Sequence, residues 1–171
     1  MSVMTTAGAQ AEDQQSLRKK LKTLMSRYNV GSRFANIPLQ KASILLPVVI
    51  KEGRLHTILT VRSMKLSVMP GQVCFPGGRQ DPGDQDYVET ALRESREEIG
   101  LCPNQVEVIG NFVPCISMPP AVYVVTPVVG IVEDTFQPTS NPKEVTDVLC
   151  IPLEFFLSRD HCTVVVCMSE Q

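Results

Sequence analysis

Tryptophan is absent from this chain and aromatic residues make up 5% of its 171 positions, so its core has to be aliphatic and not built on stacked rings. Histidine is scarce too, with only His56 and His161. The six cysteines, Cys74, Cys102, Cys115, Cys150, Cys162 and Cys167, form no Cys-x-x-Cys pair, and with two histidines they give no zinc-site spacing. They are expected to be reduced and mostly buried, which suits a cytosol-like compartment better than a secreted one. The opening residues MSVMTTAGAQAEDQQ have neither a basic start nor an apolar core, so no secretory leader is expected. No apolar run approaches the length of a membrane-spanning helix. The net charge of −2 comes without a basic stripe, which argues against a nucleic-acid binder. No nucleic-acid partner and no membrane partner is therefore expected.

What is present suits one modest domain, because 43% hydrophobic and 20% charged residues can build a core without metals or disulfides to hold it. Residues 1 to 15 are polar and expected to be disordered. From Ser16 to Arg27 the chain carries Leu17, Leu21, Leu24 and Met25, with Tyr28 following, at helical spacing. This predicts one amphipathic helix in an N-terminal extension over residues 1–36, ahead of a main domain over 37–171. Ile44–Ile50 and Leu55–Val61 are β-branched, apolar runs joined by Lys51-Glu52-Gly53-Arg54, which predicts a hairpin. Strands are expected near Val73–Phe75, Val106–Pro114 and Tyr123–Val132, loops at 117–120 and 135–143, and a short helix at Leu153–Leu157. Strands around one central helix imply a mixed sheet in an α/β fold.

That central helix lies in the most informative segment, from Gly77-Gly78 to Leu101. Asp86 with Glu89 three residues on is an N-cap signature, and Gly100 supplies the stop. Between them Val88, Ala91, Leu92, Ser95 and Ile99 form a small-to-apolar stripe that can face a core. Glu94, Glu97 and Glu98 stand at i, i+3 and i+4, so their carboxylates converge within one turn, beside the stripe. Like charges so placed cost a helix roughly 0.2 to 0.5 kcal/mol per pair, and stability is a weak reason for the cluster. Three glutamates alone read most simply as a solvated face. What overturns that is Cys74-Phe75-Pro76-Gly77-Gly78 just upstream, a strand end and tight turn whose paired glycines let backbone approach a ligand closely. Hard oxygen donors near such a turn suit a divalent cation.

Taken in order, Gly78 followed by Arg93-Glu94-Ser95-Arg96-Glu97-Glu98-Ile99-Gly100-Leu101 resembles the signature of the Nudix hydrolases, which cleave a nucleoside diphosphate linked to another group. Ser95 stands where an apolar residue is usual. Asp84 fits the usual glutamate position, one residue further from Arg93 than in the general pattern. Upstream, Leu59-Thr60-Val61-Arg62-Ser63, Leu66 and Gly71-Gln72-Val73-Cys74-Phe75-Pro76-Gly77-Gly78 resemble the accessory motif of the coenzyme A diphosphatase subfamily, and Asp81, Pro82, Asp84 and Thr90-Ala91-Leu92 also fit it. Ser67 and Val68 stand where that subfamily usually carries an arginine. The likeness runs from Ala42 to about Leu157 and is marked for the animal peroxisomal members.

The resemblance implies a Nudix α/β/α sandwich with a mixed β-sheet and hydrolysis of a diphosphate assisted by Mg²⁺ or Mn²⁺. It implies Glu94 and Glu98 as metal ligands, with Glu97 a further ligand or the group that helps deprotonate water. Arg93 would orient the glutamates, and Glu144, in Asn141-Pro142-Lys143-Glu144-Val145, lies in a loop from which some Nudix enzymes draw an extra base. Gly77 and Gly78 would bring backbone to the site, and Arg62 is a candidate contact to substrate phosphate. The implied substrates are coenzyme A and acyl-CoA, cut to adenosine 3′,5′-bisphosphate and (acyl-)4′-phosphopantetheine. Two alternatives stay open: a Nudix hydrolase of another nucleoside diphosphate derivative such as an ADP-sugar, and an inactive nucleotide-binding form. Relatives continue beyond the point where Met168-Ser169-Glu170-Gln171 stands here, so a shortened form is expected, with Cys162–Cys167 as an apolar tail. The resemblance implies a peroxisomal location, whereas these last residues carry no Ser-Lys-Leu-like address and leave a cytoplasmic one as the alternative. The pattern carries no signal for the oligomeric state.

Overall fold

The two long aliphatic runs make the longest strands, β1 (Gln40–Lys51) and β2 (Arg54–Arg62), joined through Glu52 and Gly53 at φ of 51° and 71°, a two-residue turn that matches hairpin twist. The computed structural model describes residues 4–27, 37–117 and 122–158. Ahead of the hairpin lies helix α1 (Met4–Met25); after it come β3 (Val73–Cys74), β4 (Gly77–Arg79), helix α2 (Tyr87–Ile99), β5 (Val106–Asn111), β6 (Cys115–Ile116), β7 (Tyr123–Val132) and β8 (Val145–Pro152). Short 3-10 turns occupy Pro103–Gln105 and Leu153–Leu157.

The strands form one sheet in the order β3-β2-β1-β7-β5, with β4 also on β1, β6 on β7 and β8 on β2. β1 and β7 run parallel from Gln40 opposite Tyr123 to Val49 opposite Val132, and the other pairs are antiparallel, so the sheet is mixed. Period-two alternation sends β1 side chains to opposite faces. On one face Leu45, Val49, Ile58, Val128 and Val132 pack with Ala91 and Ile99 of α2 and with Leu101, Phe136 and Val145. On the other, Met25 and Leu21 of α1 pack with Leu46, Val48, Leu55, Ile109 and Val129. Arg18 and Lys22 fix α1 further by pairing with Glu107 of β5. A helix on each face of a mixed sheet is the α/β/α sandwich.

The α2 cap forms as the sequence requires. Asp86 Oδ1 accepts from the N–H groups of Val88 (2.8 Å) and Glu89 (2.9 Å), while Glu89 Oε2 reaches back to the N–H of Gln85 and not to Asp86. Gly100 ends the helix at φ 72°.

Four elements differ from expectation. Residues 4–15, expected to be disordered, are helical, because the Ala- and Gln-rich stretch has good helix propensity and propagates from a half anchored on the sheet. β8 was not expected, since Thr146-Asp147 interrupts its apolar alternation; the ladder to β2, with a bulge at Val61/Arg62, makes it a strand. The run Val106–Pro114 shifts register between Val108 and Gly110 and ends as a strand at Asn111, and pairing resumes at Cys115. Gly77 and Gly78, read as a turn, belong to β4. The cysteines also depart from expectation: Cys74 and Cys102 are half-buried and Cys115 and Cys150 exposed, as these lie in short or outer strands and not in the core. Tyr28 and the Cys162–Cys167 run lie outside the described residues.

Candidate active site

β1 has two neighbours on one edge, β2 along Val48–Lys51 and β4 along Ala42–Ile44, and where they part the glycine pair is set against α2. Gly77 sits at φ 152°, and a Cβ there would meet the Ser43 carbonyl and lie 2.6 Å from Ile44 Cα, so glycine is required. Its N–H donates to Glu98 Oε2 at 3.1 Å. Gly78 has no unusual φ; its need is space, because an added Cβ would lie 2.5 Å from both Glu94 carboxylate oxygens. Two glycines thus receive two glutamates from successive turns of the helix.

Glu98 is only 5% exposed, and so lies under the helix where the sequence places its carboxylate beside the apolar stripe. Burial pushes its carboxyl up to about 7; the Gly77 N–H opposes that, the Glu94 charge adds to it, Arg62 opposes and Glu144 adds. Glu94 is raised as well, first by burial, with Arg93 opposing and Glu97 and Glu144 adding. Glu94, Glu98, Glu144 and Arg62 therefore act on one another electrostatically. Glu97 is elsewhere: its Oε2 accepts from Arg93 Nη1 at 3.4 Å and its side chain is 53% exposed.

Arg93 organises the outer side. Its Nε and Nη2 donate to the two oxygens of Asp84 at 2.9 and 3.0 Å, Nη2 also donates to the Arg79 carbonyl at 2.9 Å, and Nη1 lies 3.0 Å from Glu94 Oε1. These bonds hold the Asp84 carboxyl down at about 2, helped by the Asp81 N–H and the Thr90 hydroxyl against the effect of burial. Asp84 is the residue that site assignment from sequence passed over. Its signal was the match to a usual glutamate position at a fixed distance before Arg93, and its role is to clamp the arginine that steadies Glu94.

Two further segments close on the pair of glutamates. Arg62, at the end of β2, donates from Nε to the Val68 carbonyl at 3.3 Å, and its backbone bonds Gln72 and Gly71, folding the 63–71 loop back. The next residue, Ser63, donates its N–H to the Glu144 carbonyl at 2.8 Å, and Asn141 donates to the Glu98 carbonyl at 2.8 Å. The 141–144 loop is thus laced to both β2 and α2. Glu94, Glu98, Gly77, Gly78, Arg62 and Glu144 are neighbours, and Arg93 and Glu97 form the rim.

The NUDIX domain family matches residues 40–161, which is most of the chain. The chain belongs to the Nudix hydrolase family. It is 45% identical over 136 residues, 80% of its own length, to a protein named peroxisomal coenzyme A diphosphatase from Mus musculus, and 39% identical over 157 residues, 88% of its length, to Nudix hydrolase 22, chloroplastic, of Arabidopsis thaliana. It spans 57% and 51% of those two proteins' lengths. Among solved structures, the C. elegans Ap4A hydrolase in a binary complex matches with a TM-score of 0.60 at 19% identity, covering 70% of this chain and 84% of that one, which supports the fold. Among the described residues no helix is long and apolar enough to cross a membrane.

A divalent ion is the group this Nudix site implies, and the residues suit one. Glu94 and Glu98 offer hard oxygen donors, both carboxyls are raised by burial and by neighbouring carboxylates, and a cation removes that repulsion. As the side chains stand, among the described residues no three acidic, histidine or cysteine side chains are drawn together around one point, because Glu97 is held outward by Arg93.

Proposed function

We propose that this Nudix hydrolase cleaves the diphosphate of coenzyme A and of acyl-CoA, giving adenosine 3′,5′-bisphosphate and (acyl-)4′-phosphopantetheine. The observation that carries the reading is the meeting of two segments: the buried Glu98, held by Gly77, lies within the electrostatic reach of Arg62, which begins the 63–71 loop of the accessory motif. The 45% identity to a protein named for this activity supports it.

Each residue then has a task. Glu94 and Glu98 would hold Mg²⁺ or Mn²⁺, with Glu97 or Glu144 completing the donor set after a side-chain turn. Such an ion, when bound, supplies charge for the diphosphate oxygens and makes a water more acidic. Gly77 fixes the orientation of Glu98, Gly78 leaves room for Glu94, and Arg93, clamped by Asp84, limits how far Glu94 can swing. Arg62 would bind a substrate phosphate, and Glu144 would accept a proton from the attacking water. Residues 37–171 would supply the catalytic unit and α1 an extension that braces its sheet. The working compartment proposed is the peroxisome, as for the mouse relative; fluorescence microscopy of the tagged chain tests it, and purely cytoplasmic signal would remove it.

Purified protein incubated with CoA, acetyl-CoA and ADP-ribose in Mg²⁺, with products separated by chromatography, tests the activity. Adenosine 3′,5′-bisphosphate should appear from both thioester and free CoA and vanish with Glu98→Gln. Faster cleavage of ADP-ribose would replace the substrate assignment, and no cleavage by folded protein would favour an inactive binding form.

A further inference from the structure

Asn141-Pro142-Lys143-Glu144, the segment that brings Glu144 to the glutamate pair, has the Asn-x-x-Glu pattern of a capping box. In that motif the cap side chain accepts a backbone N–H and the acid reaches back to the N–H of the cap residue, which engages both side chains. Only the first half forms here. Asn141 Oδ1 accepts from the Lys143 N–H at 3.2 Å, and the Asn141 carbonyl accepts from the N–H groups of Glu144 at 3.0 Å and of Val145 at 2.8 Å. One residue therefore takes three successive N–H groups, and Pro142, in the second position, has a ring-fixed φ suited to such a turn.

The second half is prevented by α2. The Asn141 N–H that Glu144 would otherwise reach donates to the Glu98 carbonyl at 2.8 Å, and the Thr139 N–H donates to the Ile99 carbonyl at 2.9 Å. With that donor taken, the Glu144 carboxylate has no hydrogen-bond or ion-pair partner among the described residues. Glu144 is half-buried, and its charge acts on both Glu94 and Glu98. The far end of the turn is fixed separately: the Ser63 N–H holds the Glu144 carbonyl at 2.8 Å, and Val145, 1% exposed, packs in the core with Ala91 and Ile99 of α2. Between these anchors the path of the chain into Glu144 is set by Asn141.

We infer that Asn141 is a positioning residue for the reaction: its Oδ1 and carbonyl close the turn, its N–H ties that turn to the helix carrying Glu98, and the Glu144 carboxylate is thereby left free and aimed toward Glu94 and Glu98. Asn141 acts through Glu144 and not on the substrate itself. The inference rests on the hydrolase reading with Glu144 as proton acceptor and deepens it.

The test measures kcat and KM for CoA in wild type, Asn141→Ala, Asn141→Ser, Glu144→Gln and the Asn141→Ala/Glu144→Gln double variant, with thermal melting to verify folding. Loss of the Oδ1 bond leaves the backbone bonds in place and shifts Glu144 by less than the about 1 Å that costs roughly 100-fold, so Asn141→Ala should lower kcat about tenfold with KM within about twofold. Asn141→Ser, neutral and able to accept the same N–H, should recover most of that loss. Glu144→Gln should lower kcat about 100-fold or more, and adding Asn141→Ala to it should cost less than about twofold further, because residues that act as a unit are not additive. If Asn141→Ala does not fold, Asn141→Gly lacks the same oxygen at little cost in capping and carries the same expectations. An unchanged kcat in Asn141→Ala, an undiminished tenfold loss on top of Glu144→Gln, or a wild-type rate in Glu144→Gln overturns the inference. Failure of the coenzyme A reading is distinguishable: if only ADP-ribose is cleaved, the same ratios are read on that compound. If folded protein cleaves neither, crystal structures of wild type and Asn141→Ala decide, a displaced Glu144 side chain supporting the positioning role and an unmoved one overturning it.

Discussion

Gly78→Ala probes the seating of Glu94 without removing any charged group. The added Cβ would stand 2.5 Å from both carboxylate oxygens, and ordinary contact begins at 3.4 Å, so the carboxylate has to retreat by about 0.9 Å. The backbone at Gly78 tolerates alanine, and Glu94 is the flexible end of a side chain, so the fold should lose only about 1 kcal/mol to an off-rotamer shift. A misplacement of about 1 Å in a catalytic group can cost roughly 100-fold in rate. Steady-state hydrolysis of CoA at saturating Mg²⁺ should therefore show kcat reduced about 100-fold with KM little changed, and a melting temperature lowered by about 2–4 °C at most. Wild-type kcat in a folded Gly78→Ala protein would refute the placement of Glu94 as a metal-holding group. A collapse of the fold would instead assign Gly78 a structural role.

Glu98→Gln should keep the Gly77 N–H satisfied and reduce kcat/KM for CoA by about 100-fold or more. It should also flatten a pH dependence: the Glu98 carboxyl is raised to about 7 in the fold against 4.5 unfolded, so metal-free wild type holds a proton there that the unfolded chain releases, and stability declines by up to about 3 kcal/mol as pH rises from about 4.5 to 7. Melting curves of both proteins in chelator check this. Asp84→Asn acts with the opposite sign. The folded pKa of about 2 lies below the ordinary 3.8, so its contribution, about 1 kcal/mol after discounting for solvent, is present above about pH 4 and lost as pH falls through 2. The gap between wild-type and variant melting temperatures should close over that window, while activity at neutral pH drops because Arg93 is freed. Met25→Ala, on the opposite face, should cost about 2 kcal/mol by loosening α1 from Val48 and Val129, leaving kcat for CoA within about twofold.

Which parts of this were legible in the sequence depends on the range of the forces involved. The α2 boundaries, the 52–53 turn and the strand character of β1 are local consequences of capping, φ preference and a β-branched, apolar run, and Asp86, Gly100, Glu52 and Gly53 announce the first two directly. The pairing of β8 with β2 and the strand character of Gly77–Gly78 come from partners nearly ninety or thirty-five residues away in the chain, and polar or glycine-rich strands carry little signal of their own. The glutamate spacing indicated that Glu94 and Glu98 share a face. It did not reveal that Glu98 goes under the helix while Glu97 turns out to Arg93, since burial depends on how β4 crosses in front of α2. Asp84 was visible as a position in a motif, and its clamp on Arg93 only in three dimensions.

Whether Glu94 and Glu98 grip a divalent ion is measured most directly by titrating Mn²⁺ into folded, metal-free protein at about pH 6.5 by calorimetry, in two buffers of different ionisation heat. Uptake with a buffer-dependent heat, reporting release of up to one proton from the raised Glu98 carboxyl, is the expected result, and Glu98→Gln should weaken uptake and abolish that release. No uptake by the wild-type protein, or identical titrations of the two proteins, would contradict it.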